Sequence, residues 1–230
     1  MKIYAHRGFS SKYAENTTSA FLACKGLDID GIEIDVQYTM DKKVVVIHDE
    51  FLNRLCMLSK FVKDMTWDEM KDLKILNSDD SPLLLEEYVD IVKDTSLVTN
   101  VELKTSIFEY EGIEKDVYEI FKSRNILDKL LISSFNHNSL LNFRKITKDV
   151  PIAALEAGRL IEPWDYLSKY NIDYFHPLFA TMDKDSVKKL HDKGIGINVW
   201  TVNEKEHFDI MKEIGIDGVI TNYPDLNFDK

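Results

Sequence analysis

The strongest constraint on the fold of this chain is a repeated alternation of short apolar runs with amphipathic segments. Apolar runs of this kind are typical of strands buried on both faces, and the amphipathic segments between them are typical of helices. Residues 111–124, for example, carry Ile113, Val117 and Phe121 on one stripe, at a spacing of about 3.6 residues per turn. The strand candidates span residues 3–6, 31–38, 44–48, 97–103, 130–134, 152–155, 174–177, 196–202 and 218–221.

Repeated strand–helix units favour a parallel sheet that closes into a barrel, but nine strands are one too many for an eight-stranded closure. Only residues 39–43 separate the second and third runs, whereas a parallel crossover needs about a dozen residues. We therefore expect the run 44–48 to return antiparallel as a hairpin, unless the barrel is irregular there. The remaining eight units predict an α/β fold, a TIM-type (β/α)8 barrel, formed by one domain over residues 1–230.

Residues 49–82 interrupt the repeat and are predicted to form a small insertion over one end of the barrel. Within it, Thr66 followed by Glu69 predicts a capping box, in which a hydroxyl and a carboxylate satisfy the first amides of a helix. Asn203 followed by Glu206 predicts a second capping box, at the start of the last helix.

The net charge of −11 constrains the partners of the protein. An acidic surface repels nucleic acid and anionic membranes, so neither is an expected partner. A phosphate-bearing small molecule would need local positive charge, from a metal or from a few placed Lys and Arg. The sequence has neither a leader pattern nor a run of about 18 apolar residues, so we expect a cytoplasmic protein without a stable membrane anchor. Cys24 and Cys56 lack zinc-site spacing, and Cys24 is predicted to lie in the core.

Two carboxylates share one face of the second strand. Side chains two residues apart on a strand point the same way, so Glu33 and Asp35 face one side. Ile32, Ile34 and Val36 face the other side. Buried carboxylates are costly without a cationic partner, and oxygen ligands suit Mg²⁺ or Ca²⁺. The pattern indicates a divalent metal site, with a pair of strand-end salt bridges as the alternative.

A second strand end carries the pair Glu102 and Lys104, again alternating with apolar residues. Glu102 is suited to supply a third carboxylate to the same metal, because parallel strands end at one face of a barrel. Lys104 is then free to meet a substrate anion. The alternative is an internal pair between these two residues.

Two histidines complete the pattern. His6, followed by Arg7, ends the first strand, and the carboxyl ends of barrel strands carry active sites. If the hairpin turn is centred near residues 41–42, His48 lies about opposite Asp35 and therefore beside the proposed metal. Two histidines flanking a metal suit phosphoryl transfer, because one can accept a proton from the nucleophile while the other protonates the leaving oxygen.

A set of short motifs, each occurring once, is distributed in order along nearly the whole chain. They are His6-Arg7-Gly8, Glu15-Asn16-Thr17, Gly31-Ile32-Glu33-Ile34-Asp35-Val36, His48-Asp49, Glu102-Leu103-Lys104, Ser134-Phe135, Val199-Trp200-Thr201-Val202-Asn203 and Asp217-Gly218-Val219-Ile220-Thr221. In this order they resemble the glycerophosphodiester phosphodiesterase family. The set is specific, although no single motif is.

The resemblance implies an eight-stranded barrel with a small insertion after the His48 strand. It implies metal-dependent hydrolysis of glycerophosphodiesters to glycerol 3-phosphate and an alcohol. By motif match, the implied roles are acid–base catalysis for His6 and His48, Mg²⁺ or Ca²⁺ binding for Glu33, Asp35 and Glu102, and substrate binding for Arg7, Lys104 and Trp200. Two departures occur: Ala14 replaces a usual proline, and Leu55-Cys56-Met57 replaces threonines and small residues after Arg54.

Two other functions are compatible with the same sequence. A lysophospholipase D-like enzyme would share the chemistry and use apolar residues of the insertion, such as Phe51 and Phe61, to receive an acyl chain. The simpler interpretation is that these residues pack the insertion onto the barrel. A non-catalytic barrel that binds a phosphorylated ligand is the third hypothesis, and the presence of both histidines speaks against it.

Overall fold

Eight parallel strands close into a barrel in the computed structural model, which describes residues 1–226, and this confirms the predicted fold. The strands are β1 (Lys2–His6), β2 (Gly31–Tyr38), β3 (Val44–Val46), β4 (Leu83–Leu84), β5 (Val98–Leu103), β6 (Leu130–Ser134), β7 (Ile152–Glu156), β8 (Tyr174–Pro177), β9 (Gly196–Val199) and β10 (Gly218–Thr221). All except β3 and β4 belong to the barrel. β1 pairs with both β2 and β10, which closes the ring.

Helices connect the barrel strands and cover their outer face. They are α1 (Thr18–Cys24), α2 (Asn53–Cys56), α3 (Trp67–Met70), α4 (Leu85–Val92), α5 (Ile113–Ser123), α6 (His137–Ile146), α7 (Pro163–Lys169), α8 (Lys184–Asp192) and α9 (Lys205–Ile214). Three 3-10 turns lie at Val62–Asp64, Leu127–Lys129 and Phe179–Thr181. Within the described residues, no helix is long and apolar enough to cross a membrane.

Alternation along β2 separates the core from the site, as the period of two requires. Ile32, Ile34 and Val36 pack in the main hydrophobic core, together with Phe21 of α1 and other helix residues. The intervening side chains point into the barrel, where one of them, Glu33, lines a pocket. The residues that could perform chemistry are therefore held by strands whose outer faces are fixed by apolar packing.

The hairpin predicted after β2 is present, but its register differs by one residue from the expected one. β3 runs antiparallel to β2, with Val36 opposite Val46 and Tyr38 opposite Val44. The amide of Thr39 donates to the carbonyl of Lys43 at 3.0 Å, so the turn is centred on Asp41, midway between them. Ile47, rather than His48, lies opposite Asp35, since its amide donates to the Asp35 carbonyl at 3.0 Å.

The segment 49–82 forms a small hydrophobic cluster of its own beside β3. Leu52, Leu55, Val62 and Met70 pack there against the side chains of Val45 and neighbouring residues. The predicted capping interaction at Thr66 is confirmed, because the Glu69 carboxylate accepts hydrogen bonds from the Thr66 amide and hydroxyl at 2.8 and 3.1 Å.

The second predicted capping box is wrong. α9 begins one residue later than expected, with Glu204 as its N-cap, and no side chain caps it. The Asn203 side chain turns instead toward the end of β10, where its Oδ1 accepts from the Asn222 amide at 3.0 Å. A tertiary hydrogen bond has replaced the local one that the sequence pattern favoured.

Candidate active site

A pocket of about 70 Å³ opens at the carboxyl ends of the barrel strands. Most of the residues predicted to carry chemistry converge there, although they come from distant parts of the chain. The residues that line it are His6, Arg7, Glu33, His48, Asn100, Glu102, Ser133, Phe135, Leu155, Trp200 and Ile220. The ionisable members come from β1 and the turn that follows it, from β2 and β5, and from the turn that follows β3.

Three buried carboxylates form a cluster beside this pocket. Glu33, Asp35 and Glu102 each place one oxygen within 4.8 Å of the others. Burial, together with repulsion from Asp35, raises the pKa of Glu102 to about 7. The same causes raise the pKa of Glu33 well above its usual value. Carboxylates that repel one another in this way are suited to hold a cation between them.

The two carboxylate oxygens of Asp35 differ in their surroundings. Asp35 Oδ2 accepts from the Asn16 amide at 2.9 Å, but Oδ1 is buried and has no hydrogen-bond partner among residues 1–226. An unsatisfied buried carboxylate oxygen is expensive without a cation. The three residues therefore fit a divalent metal of the kind that takes oxygen ligands, such as Mg²⁺ or Ca²⁺.

His6 is held by contacts on both sides of its ring. Its Nδ1 lies 2.6 Å from the Asn222 Oδ1, and its Nε2 lies 3.9 Å from a Glu33 carboxylate oxygen. An amide oxygen only accepts, so Nδ1 carries the proton and Nε2 presents its lone pair to the pocket. Burial, with the nearby charge of Arg7, lowers the pKa of His6 to about 4. The imidazole is thus neutral at physiological pH.

The turn after β1 brings Arg7 back toward the carboxylates. Arg7 and Gly8 both have positive φ, at 56° and 78°, and the Arg7 amide donates to Glu33 Oε2 at 3.1 Å. A Cβ on Gly8 would lie 2.9 Å from the Cβ of Ala20, so glycine permits the close approach of α1. The guanidinium pairs with Glu15 at 2.8 Å and with Asp35 at 3.4 Å.

A network of charges orients His48 from the outer side. Its Nδ1 lies 2.8 Å from Asp49 Oδ1, and a carboxylate can only accept, so Nδ1 is protonated and Nε2 faces inward. Arg54 donates a hydrogen bond from Nε to the Asp49 carboxylate at 2.6 Å and another from Nη2 to the Glu15 carboxylate at 2.7 Å. Glu15 in turn holds Arg7, so one chain of ion pairs links both sides of the site.

Asp35 and Lys104 do not line the pocket but contact residues that do. The Lys104 ammonium lies 3.1 Å from Glu102 and 3.2 Å from His48 Nε2. Trp200 lines the pocket on the opposite side, edge-to-face with Phe135 at a ring separation of 5.5 Å. Its indole N–H donates to the His176 carbonyl at 2.7 Å, which fixes the ring plane.

A larger concavity of about 790 Å³ lies at the opposite end of the barrel, around residues that precede the strands. Its acidic residues are already engaged. Asp30, Asp173 and Asp217 accept backbone amides of β1, β7 and β9 at 2.9, 2.8 and 2.8 Å. These carboxylates complete strand ends, and in parallel barrels catalysis occurs at the other face.

Sequence reasoning missed several residues of the site. Asn100 shares the inward face of β5 with Glu102, so the period of two could have found it. Asp49 follows His48 directly and could have been paired with it. Asn222 and Ser133 carry no local signal, because their places depend on how distant strands meet.

Comparison with known proteins decides the family. The model of the "Glycerophosphoryl diester phosphodiesterase family" matches residues 6–226. The chain belongs to the glycerophosphoryl diester phosphodiesterase family. It is 38% identical to a glycerophosphodiester phosphodiesterase of Bacillus altitudinis over 97% of this chain and 95% of that protein. It is 35% identical to one of Caldanaerobacter subterraneus subsp. tengcongensis, over 97% and 94%.

Solved structures of the family share the barrel. A glycerophosphodiester phosphodiesterase of Thermotoga maritima superposes with a TM-score of 0.81 at 31% identity, covering 98% of this chain and 96% of that one. A phosphodiesterase of Oleispira antarctica, solved with the product sn-glycerol-3-phosphate, superposes with a TM-score of 0.85 at 22% identity, covering 97% and 94%. At that identity the second likeness is one of fold alone. The family is divalent-metal dependent, which agrees with the buried carboxylate cluster.

Proposed function

We propose that this phosphodiesterase hydrolyses glycerophosphodiesters to glycerol 3-phosphate and an alcohol, with His6 and His48 as its acid–base pair. Family membership supports the reaction, and so do the relatives named for it. The observation that carries the assignment of roles is that both imidazoles line one pocket together with two carboxylates of the cluster. Each ring has its Nδ1 engaged by an acceptor, Asn222 or Asp49, so each Nε2 is available for proton transfer.

In the proposed mechanism, one imidazole accepts the proton of the attacking oxygen at its bare Nε2. The other reacts as the imidazolium, with protons on both ring nitrogens, and delivers its Nε2 proton to the leaving oxygen. Concerted proton transfer of this kind avoids a free alkoxide at neutral pH. Arg7 and Lys104 supply the local positive charge that an acidic protein otherwise lacks near a phosphate. Trp200 gives one wall of the pocket and excludes water from the reacting groups.

Glu33, Asp35 and Glu102 would hold the divalent cation, Mg²⁺ or Ca²⁺. When bound, the cation would offset the negative charge that develops on the phosphoryl oxygens. Lys104, with its ammonium 3.1 Å from Glu102, and Arg7, 3.4 Å from Asp35, orient two of these carboxylates. We also propose that residues 1–230 act as one barrel domain in the cytoplasm, on a small molecule rather than on nucleic acid; the net charge of −11 supports the last point.

The test is release of glycerol 3-phosphate from glycerophosphocholine, with Mg²⁺ and Ca²⁺ supplied in turn. We expect His6→Ala and His48→Ala each to lower kcat by about 10²-fold or more, since general acid–base catalysis contributes on that scale. His191→Ala is the matched control, because this histidine lies at the opposite end of the barrel. Full activity in His6→Ala or His48→Ala would contradict the acid–base role proposed for that histidine. Binding without turnover would favour the non-catalytic hypothesis.

A second candidate is a lysophospholipase D activity at the same site. Phe51 and Phe61 are 40% and 39% exposed, and their ring centroids lie 5.0 Å apart with the planes tilted by 58°. Phe108 extends this aromatic surface, with its ring 5.4 Å from Phe61. A human lysophospholipase D is 23% identical over 97% of this chain. Faster turnover of lysophosphatidylcholine than of glycerophosphocholine, lost in Phe61→Ser, would favour this candidate.

A further inference from the structure

The inward face of β2 carries a third polar side chain beyond the two carboxylates of the cluster. Gln37 follows Glu33 and Asp35 at the same period of two and is 0% exposed. It does not line the pocket, and its side chain turns toward the hairpin return after β3. A buried amide is costly unless its donors and its acceptor are satisfied, so its partners indicate what it does.

Gln37 binds the main chain at His48. Its Nε2 donates to the Ile47 carbonyl at 3.2 Å and to the His48 carbonyl at 3.0 Å. One amide nitrogen, with two N–H groups to give, thus serves two consecutive carbonyls. Backbone pairing with β2 reaches only as far as the Ile47 amide, which donates to the Asp35 carbonyl at 3.0 Å. A side chain therefore continues the pairing up to a candidate catalytic histidine.

The connection between β5 and α5 fixes the Gln37 amide from its other end. The hydroxyl of Tyr110, a residue that is 7% exposed, donates to Gln37 Oε1 at 3.0 Å. Because carbonyls only accept, Nε2 must face residues 47 and 48, and Oε1 must face the hydroxyl. The amide plane therefore has one orientation, and Tyr110, Gln37 and the His48 main chain form one chain of hydrogen bonds.

The other contacts of His48 hold its ring, whereas this one holds its backbone. Asp49 meets the ring at Nδ1, and the Lys104 ammonium lies 3.2 Å from Nε2. Asp49 is the next residue in the chain and moves with His48, and a lysine stem is flexible. Gln37 instead belongs to the strand that carries two of the carboxylates. It therefore ties the height of the imidazole in the barrel to the height of the cluster.

We propose that Gln37 is a positioning residue for His48, which sets the distance between the imidazole and the carboxylate cluster through the main chain of residues 47–48. This inference rests on the proposed function of His48 and deepens it. A displacement of about 1 Å can cost about 10²-fold in rate, so hydrogen bonds that fix the backbone of an acid–base group matter for turnover. An apolar side chain would fill the same space but would leave both carbonyls unpaired.

The test is the effect of Gln37→Met on kcat and KM for glycerophosphocholine, with Mg²⁺ supplied. Methionine is similar in length and packs well, but it cannot donate to the two carbonyls. We expect kcat to fall by about 10-fold or more, with KM within about threefold of wild type. The rise in Tm with Mg²⁺ should be retained, because the three carboxylates are unchanged. An unchanged kcat, or a metal response lost as in Glu33→Gln, would overturn the proposal.

Tyr38→Phe is the matched control. Tyr38 is the next residue of β2 and faces the other side, where its hydroxyl donates to the Asp116 carboxylate of α5 at 2.6 Å. This variant loses a tertiary hydrogen bond that does not reach His48. Stability should therefore fall while kcat stays within about twofold of wild type. A kcat loss as large as that of Gln37→Met would show that any weakened contact of β2 has this effect, which contradicts a specific role for Gln37.

Tyr110→Phe tests the same chain of hydrogen bonds, and it does so even if Gln37→Met does not fold. It removes the hydroxyl that orients the amide and leaves the two donors in place, so we expect kcat to fall by about threefold. The double variant should be no slower than Gln37→Met, since Tyr110 acts through Gln37. An unaffected kcat in Tyr110→Phe, or losses that multiply in the double variant, would contradict the proposal.

Nuclear magnetic resonance of the His48 ring is recorded separately, because it reports position without turnover. Wild type and Tyr38→Phe should each give one set of ring resonances, and Gln37→Met should give broadened or doubled ones. This pattern in an inactive wild type would contradict the proposed function and leave the positioning intact. Turnover in wild type, with His48 resonances that are identical in Gln37→Met, would contradict the positioning and leave the function intact.

Discussion

The imidazole Nδ1 of His6 and the amide Oδ1 of Asn222 lie 2.6 Å apart, although 216 residues separate them in the chain. The first barrel strand ends at His6, and Asn222 follows the last one. Asn222 is itself fixed from behind, because its backbone N–H donates to Asn203 Oδ1 at 3.0 Å. The tautomer of a candidate catalytic histidine is therefore set by the closure of the barrel.

Replacement of Asn222 by Ala should release this tautomer. We expect kcat to fall by about 10-fold with little change in KM, because the imidazole would no longer present Nε2 as its basic atom in every molecule. Nitrogen-15 NMR of the histidine rings should show the Nδ1–H form of His6 in wild type and a mixture in Asn222→Ala. Asn222→Asp keeps an acceptor at this position and should retain the Nδ1–H signature. A pure Nε2–H signal in wild type would contradict the assignment.

Divalent metal should stabilise the folded protein through the three carboxylates. At a free metal concentration of about 100 times Kd, linkage predicts about 2.7 kcal/mol of added stability. For a chain of this size that corresponds to a rise in Tm of about 5 to 10 °C. Differential scanning fluorimetry with Mg²⁺, Ca²⁺ or EDTA measures the rise.

Glu33→Gln and Asp35→Asn should abolish most of that rise. Glu114→Gln is the matched control, since Glu114 is a buried glutamate outside the cluster. An unchanged metal response in both cluster variants would show that the cation binds elsewhere.

Stability should fall in mild acid because of His176, a buried histidine of β8. Burial lowers its pKa to about 3 in the folded state, whereas the unfolded value is about 6.5. Protons therefore bind the unfolded chain preferentially between these two values, so stability is full above about pH 6.5 and declines as the pH falls toward 3. From pH 7.5 to pH 5.0 this group alone should cost about 2 kcal/mol.

Urea unfolding at the two pH values measures this effect. His176→Gln and His176→Asn lack the titrating ring, so each should lose about 2 kcal/mol less than wild type over the same interval. Two amides of different length control for the packing change at this site. Parallel pH profiles for all three proteins would contradict the prediction.

The two thiols should differ sharply in reactivity. Cys24 is fully buried, and burial raises its pKa to about 12, so little thiolate forms and reagents cannot reach it. Cys56 is half-buried and more accessible. We expect Ellman's reagent to titrate one thiol in the native protein and two after denaturation. Cys56→Ser should remove the native reaction and Cys24→Ser should leave it; rapid labelling of both native thiols would contradict the burial.

Much of the barrel and of the site was predictable from local periodicity. A period of two placed Glu33 and Asp35 on one face of β2, and the short link after β2 required the antiparallel return of β3. The register at His48 differs from the predicted one by one residue, and the turn that sets it contains Lys42 with a positive φ of 57°. Turn conformation of this kind depends on energies too small to be read from residue types alone.

The remaining differences are tertiary in origin. Asn203 has the residue type and spacing of an N-cap for α9, yet its side-chain oxygen accepts from the backbone amide of Asn222, just after β10. The support that Asn222 gives to His6 has no sequence signature at all, because it appears only when β1 meets β10. Contacts between the first and last strands are those about which a local pattern carries the least information.

The pairing of β1 with β10 also bears on synthesis of the protein at the ribosome. Both candidate catalytic histidines and all three carboxylates are translated within the first half of the chain, but β1 lacks one of its two neighbours until β10 emerges. A nascent chain that has not released its final strand contains the residues of the acidic cluster but lacks the acceptor for His6. Catalytic competence would thus arise late and abruptly, as the growing polypeptide joins its last strand to its first.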